Sequence, residues 1–67
     1  MIICTAATVE KMLGEIALKY NGEPAEFKLE PAPGDADRWF VTRNGYVMSG
    51  LHVVKSGQFY HFKTIGF

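Results

Sequence analysis

Between Ala6 and Tyr20 the apolar residues Ala6, Val9, Leu13, Ile16, Ala17 and Tyr20 recur at helical spacings, with Glu10, Lys11, Glu15 and Lys19 outside the stripe. That period marks one buried face of a helix and predicts an amphipathic helix over residues 6–20. Thr5 is the expected N-cap, its hydroxyl accepting from the backbone N–H of Thr8. Cys4 and Val9 then occupy the two positions of a hydrophobic staple. Asn21-Gly22 ends the helix, because glycine supplies the left-handed residue that a C-terminal cap favours. Pro24 blocks an easy restart.

Over residues 25–30 the period changes to two: Phe27 and Leu29 fall on one side, Glu26, Lys28 and Glu30 on the other. This is the pattern of a half-exposed strand, placed at an edge because its charges discourage further pairing. Residues 31–37, with Pro31, Pro33 and Gly34, show no apolar period and read as a loop.

From Arg38 onward, two turn signals, Asn44-Gly45 and Ser56-Gly57, cut the chain into three strand-like runs. Asn-Gly between apolar runs is a strong signal for a two-residue type I′ turn, which needs positive φ at both central positions. Pairing around it sets Arg43 opposite Tyr46, Val41 opposite Met48 and Trp39 opposite Gly50. A two-residue Ser56-Gly57 turn sets Val54 opposite Phe59 and His52 opposite His61. Strand side chains alternate, so these registers sort the sheet into two faces. One face holds Phe40, Thr42, Val47, Ser49, Leu51, Val53, Tyr60, Phe62 and Thr64, with Arg38 and Lys55 only at its ends, and is expected to carry the helix. The other holds Trp39, Val41, Arg43, Tyr46, Met48, His52, Val54, Phe59, His61, Lys63 and Ile65 and is expected to be open. A three-residue loop at Lys55-Ser56-Gly57 would instead flip the last strand.

The expected fold is α+β in a single domain over residues 1–67. An N-terminal helix packs on one face of a three- to four-stranded antiparallel meander, in the order α-β-β-β-β. Met1–Cys4 is too short to show a period, which leaves open whether it adds a strand.

Composition adds a constraint on stability. A chain of 67 residues buries only about 60% of the surface its unfolded form exposes, so small domains of this kind usually need a staple. Cys4 is the single cysteine, which rules out an internal disulfide, and no Cys/His cluster supplies four zinc ligands. A homodimer, or an efficient core drawn from the 48% hydrophobic content, is what remains. One cysteine, no basic leader pattern and no long apolar run point to a soluble cytoplasmic protein with no membrane segment.

Charge divides the chain although its formal net is zero. Residues 1–37 carry three Lys against five Glu and two Asp, whereas residues 38–67 carry Arg38, Arg43, Lys55 and Lys63 and no acid. The second part also holds seven of the nine aromatic residues, counting Phe67, and both histidines. The sheet half thus suits an acidic partner.

Catalysis is not expected. No carboxylate lies in the sheet half to orient a histidine or act as general acid, and Cys4 beside apolar residues reads as a buried small hydrophobe. The glycines are spaced for turns and a bulge rather than a phosphate loop. His52 and His61 facing each other would offer two metal ligands or a pH-sensitive pair, but the face supplies no third ligand. No cofactor and no metal are expected. What remains is an aromatic and basic surface made of Trp39, Arg43, Tyr46, Met48, His52, Phe59, His61 and Lys63. Trp, Tyr and Arg anchor protein interfaces, so the expected function is a small non-catalytic interaction module, of regulator or inhibitor type, that binds a larger protein. The alternative is a single-stranded nucleic-acid-binding module using the same face, with rings stacking on bases and cations tracking phosphate. A neutral chain lacks the basic surplus such binders usually carry. No motif identifies a family.

Overall fold

The computed structural model describes residues 1–66; Phe67, the last of the aromatic residues counted above, lies outside them. The elements are β1 (Ile2–Ala6), α1 (Val9–Lys19), a 3-10 turn (Pro24–Glu26), β2 (Phe27–Pro31), β3 (Arg38–Arg43), β4 (Tyr46–Ser56) and β5 (Phe59–Thr64). The fold is α+β, as expected: one helix on one face of an antiparallel sheet. The sheet has five strands in the order β1-β5-β4-β3-β2. The N-terminal segment supplies the extra strand, pairing antiparallel with β5. Because β1 and β2 lie at opposite edges, the β1–α1–β2 connection carries the helix across one face and leaves the other without a covering layer.

The helix begins later than its apolar spacing suggests. Thr8, not Thr5, is the N-cap: its backbone is extended and its Oγ1 accepts from Lys11 N–H at 3.1 Å. Residues 2–6 find a ladder partner in β5, and that pairing overrides a local cap at Thr5. The buried stripe is therefore Met12, Ile16 and Ala17, flanked by Leu13 and Tyr20, while Val9 stays exposed. At the other end Gly22 N–H bonds the Ala17 carbonyl at 2.9 Å, a Schellman closure in which Asn21, at φ 56°, is the left-handed residue. Gly22 is small for another reason: a Cβ there would sit 2.7 Å from an Arg43 guanidinium nitrogen and 3.2 Å from the Phe27 ring.

The core joins Ala6 of β1 and the helix stripe to Phe27, Val41, Val53 and Phe62 of the sheet. Phe62 also meets Tyr20 edge-on, with ring centroids 6.2 Å apart.

The first hairpin forms as its sequence predicts. Arg43 opposes Tyr46, and both Asn44 (φ 52°) and Gly45 (φ 86°) are left-handed. Beyond Val47 the register changes. β3 advances two residues, from Phe40 to Thr42, while β4 advances five, from Val47 to His52. Gly50, at φ 80°, sits inside this bulge, and its carbonyl accepts from Ile65 N–H at 2.9 Å. The surplus is odd, so it exchanges the faces of everything beyond it relative to the simple pairing. Trp39, Val41 and Arg43 consequently face the helix side, in step with Leu29 and Phe27 of β2. Arg38, Phe40, Thr42 and Val47 lie on the opposite face. This corrects the expected sorting of β3 and the first part of β4.

The second turn is Gly57-Gln58 rather than Ser56-Gly57, with Ser56 opposite Phe59 and glycine (φ 63°) at the first central position. Moving a two-residue turn by one place shifts partners by two and so preserves faces. Leu51, Val53, Tyr60 and Phe62 stay on the helix side, and the three-residue alternative does not form. The shift does separate the histidines: His52 opposes Lys63, and His61 opposes Val54.

Candidate interaction face

The sheet face away from α1 is built from all five strands. β5 contributes Phe59, His61 and Lys63, β4 contributes Val47, His52 and Val54, and β3 contributes Arg38, Phe40 and Thr42. β1 adds Thr5 opposite His61, and β2 adds Lys28 opposite Thr42 and Glu30 opposite Phe40. Val47 (61% exposed), Ile2 of β1 opposite Lys63 (55%) and Phe59 (49%) are its most accessible large apolar side chains.

Its centre is less accessible. Thr42 and His52 are the buried polar residues among those described, His52 at 9% exposure. His52 sits between Phe40 on β3 and Lys63 on β5, and neither ring nitrogen has a hydrogen-bond partner. Burial, then the charges of Arg38, Lys63 and the N-terminus, pushes His52 below the usual imidazole range. It is therefore a neutral ring at pH 7. Arg38 lies over the Phe40 ring at 5.1 Å, and its Nε is likewise buried without a partner. His61 reaches outward instead, its Nδ1 3.2 Å from Thr5 Oγ1.

The cations of the two faces have different surroundings. Arg43 is held on the helix side by Glu26 at 3.2 Å, by the Tyr20 carbonyl at 3.3 Å and by the Phe27 ring at 5.0 Å. Glu26 is held below the ordinary carboxylate range, chiefly by the Glu23 backbone N–H and then by Arg43. Among the described residues this is the one ion pair within 4.0 Å. Arg38 and Lys63 on the open face have no carboxylate at that distance among the described residues.

The sequence-derived set of eight thus divides in space. His52, Phe59, His61 and Lys63 share the open face. Trp39 packs on Tyr60 on the helix side, with ring centroids 5.5 Å apart. Arg43 is part of the helix-side network, and Met48 packs against the core. Tyr46 stands at the hairpin end, 79% exposed. Arg38, Phe40 and Val47 belong to the open face but were not legible there, because a three-residue surplus in β4 leaves no periodic trace. The sequence signal was Gly50 itself, a lone glycine within a strand pattern.

Among the described residues no group of three or more His, Cys, Asp or Glu side chains gathers in a way that could hold a metal ion. Burial pushes the Cys4 thiol up, away from the thiolate form, and its sulfur lies 3.9 Å from the Met12 sulfur. No described helix is long and apolar enough to cross a membrane. Comparison with family models, curated proteins and solved structures returned no match.

Proposed function

We propose that the protein is a non-catalytic interaction module, of regulator or inhibitor type, that docks its open sheet face on a larger protein. The observation that carries this reading is the pairing state of the cations. Among the described residues, Arg38 and Lys63 stand among Phe40, Val54 and Phe59 with no carboxylate partner, while Arg43 on the helix side has one. An acidic group on a partner, framed by apolar contacts, would complete the arrangement, and desolvated charge pairs beside aromatic anchors are what interface centres use. The buried, unpartnered His52 beneath this surface supports the same reading. Local choices that conflict with stability concentrate at functional sites. Nucleic acid is the second reading. Its support is weaker because Trp39 and Tyr60, the best stacking rings, face the helix side and the chain has no net positive charge. A reducing compartment such as the cytoplasm suits a chain whose one cysteine is half-buried and free.

The test uses two accessible positions. Wild type and a Lys63→Glu, Val47→Asp variant are immobilised and offered extract from the source cells. A protein retained by wild type and lost from the variant, with melting temperatures within a few degrees, is the expected result. Equal retention by both overturns the reading. A steeply salt-dependent affinity for a single-stranded oligonucleotide that the variant flattens would transfer the function to the nucleic-acid class.

A further inference from the structure

The two sheet edges are protected very differently. β2 carries Lys28, Glu30 and Pro31 along its length, the charges and proline that keep edge strands from pairing with other chains. β1, Ile2-Ile3-Cys4-Thr5-Ala6, carries no charge and no proline. Its outer backbone edge is a ready template for another strand.

Beside that edge runs an open apolar groove of about 470 Å³, between the end of β1 and the outer flank of α1. Ala6, Ala7, Gly14 and Phe59 line it, with Leu18 at its rim. Leu18 is 78% exposed, although α1 has an ample buried stripe elsewhere. A Cβ built on Gly14 would meet nothing within 4 Å, so the helix flank is shallow there and open to close approach. Lys11 and Glu15, one helical turn apart, also line the groove with opposite charges.

This distribution is self-complementary. We infer that the protein forms a homodimer through β1: two copies pair their β1 edges antiparallel about a two-fold axis perpendicular to the sheet. The five-stranded sheets join into one, and the two α1 helices run antiparallel beside each other on the same side. Leu18 of each copy then lies over the groove near Lys11 and Gly14 of the other. Lys11 of each copy comes within about a turn of Glu15 of the other, so each like-charge clash of a parallel arrangement becomes an attraction. An interface in which one patch meets its own copy requires this kind of internal complementarity. A second copy satisfies the edge, the groove and the charges together. It also supplies the stabilisation that a short chain with a single cysteine, and so no internal disulfide, needs. Both open faces end on the same side of the joined sheet, doubling the surface for a partner.

Sedimentation of the full chain over a concentration series tests this directly, since a dimer has twice the 7.5 kDa monomer mass. Wild type is expected to dimerise at micromolar concentrations. Lys11→Glu and Glu15→Lys should each weaken association at least tenfold, and the double charge reversal should recover most of it. Leu18→Glu should give a monomer whose circular dichroism matches wild type, because Lys11, Glu15 and Leu18 are all exposed in the single copy. A wild-type monomer at all concentrations overturns the inference. So does a dimer indifferent to all three single changes, or a double reversal that fails to recover. The open-face test above uses different residues, so either proposal can fail alone.

Discussion

A buried imidazole without a hydrogen-bond partner costs on the order of 1–3 kcal/mol relative to a satisfied one, and His52 is such a ring. Replacing it by an apolar residue of similar size removes the unsatisfied nitrogens, so His52→Leu is expected to melt at or above the wild-type temperature at pH 7. The pH dependence has a definite sign. The folded state holds His52 below its unfolded value of about 6.5, so on acidification the unfolded chain takes up a proton before the folded one does. This contribution is intact above that value and is lost progressively as pH falls below it, until the depressed folded pKa is reached. Melting scans from pH 7.5 to 5 should show the loss in wild type and a shallower slope in His52→Leu; parallel slopes would exclude His52 as its source. Two aromatic residues separate by the same logic of surroundings. Trp39 packs on Tyr60 against the core, so Trp39→Ala should cost about 2–3 kcal/mol, or more than about 10 °C in a domain of this size. Tyr46→Ala, at the exposed hairpin end, should move the melting temperature by no more than a degree or two.

Elements were legible where one local signal dominated. Asn44-Gly45 specifies its turn by conformational demand alone, and Phe27/Leu29 alternation specifies which side of β2 is buried. The start of α1 was not legible, because Thr5 and Thr8 are equally good caps in isolation. The choice falls to pairing between β1 and β5, which sits at the far end of the chain. Thr8→Ala should therefore cost about 1 kcal/mol, seen as a melting shift of roughly 4–8 °C, whereas Thr5→Ala should change stability by less than half as much. The bulge in β4 is the second place where local reading stops. Its odd surplus moves Trp39 and Arg43 under the helix side and brings Phe40 and Arg38 out, which reorganised half of the candidate site. Gly50 holds that bulge at positive φ, and Gly50→Ala should destabilise by about 1–2 kcal/mol. If denaturant midpoints of Gly50→Ala and wild type coincide, the bulge does not depend on the glycine.

At the scale of the whole molecule, the separation of acidic and basic halves along the chain reappears in space only in part. Lys28 and Glu30 from the acidic half join the open face, and Arg43 from the basic half crosses to Glu26, so the open face is positive but not uniformly so. The existence of two unlike faces is legible in the sequence because strand alternation is local. Their membership is not, because it depends on register accumulated over several strands. The role of the N-terminal segment is equally hidden, since five residues without a period acquire it from a neighbour they cannot announce. Amide hydrogen exchange should rank the strands accordingly. Protection is expected to be highest at His52–Val54 of β4, where ladders run on both sides, and lowest in β1, unless dimer formation at high concentration raises it.

The pairing of β1 with β5 has a further consequence in time. Ile2 meets Lys63, so β1, made before the other four strands, must wait for β5 before it can enter the sheet. Every other ladder joins strands adjacent in sequence and closes with little loop entropy, whereas this one closes nearly the whole chain. A nascent chain therefore carries an apolar, uncharged strand exposed until β5 has been made. When many chains are made together, the β5 that arrives first can belong to a neighbour. Exchange of β1 between copies is the predictable by-product of rapid expression, and slow synthesis at low temperature is the condition that favours each strand finding its own partner.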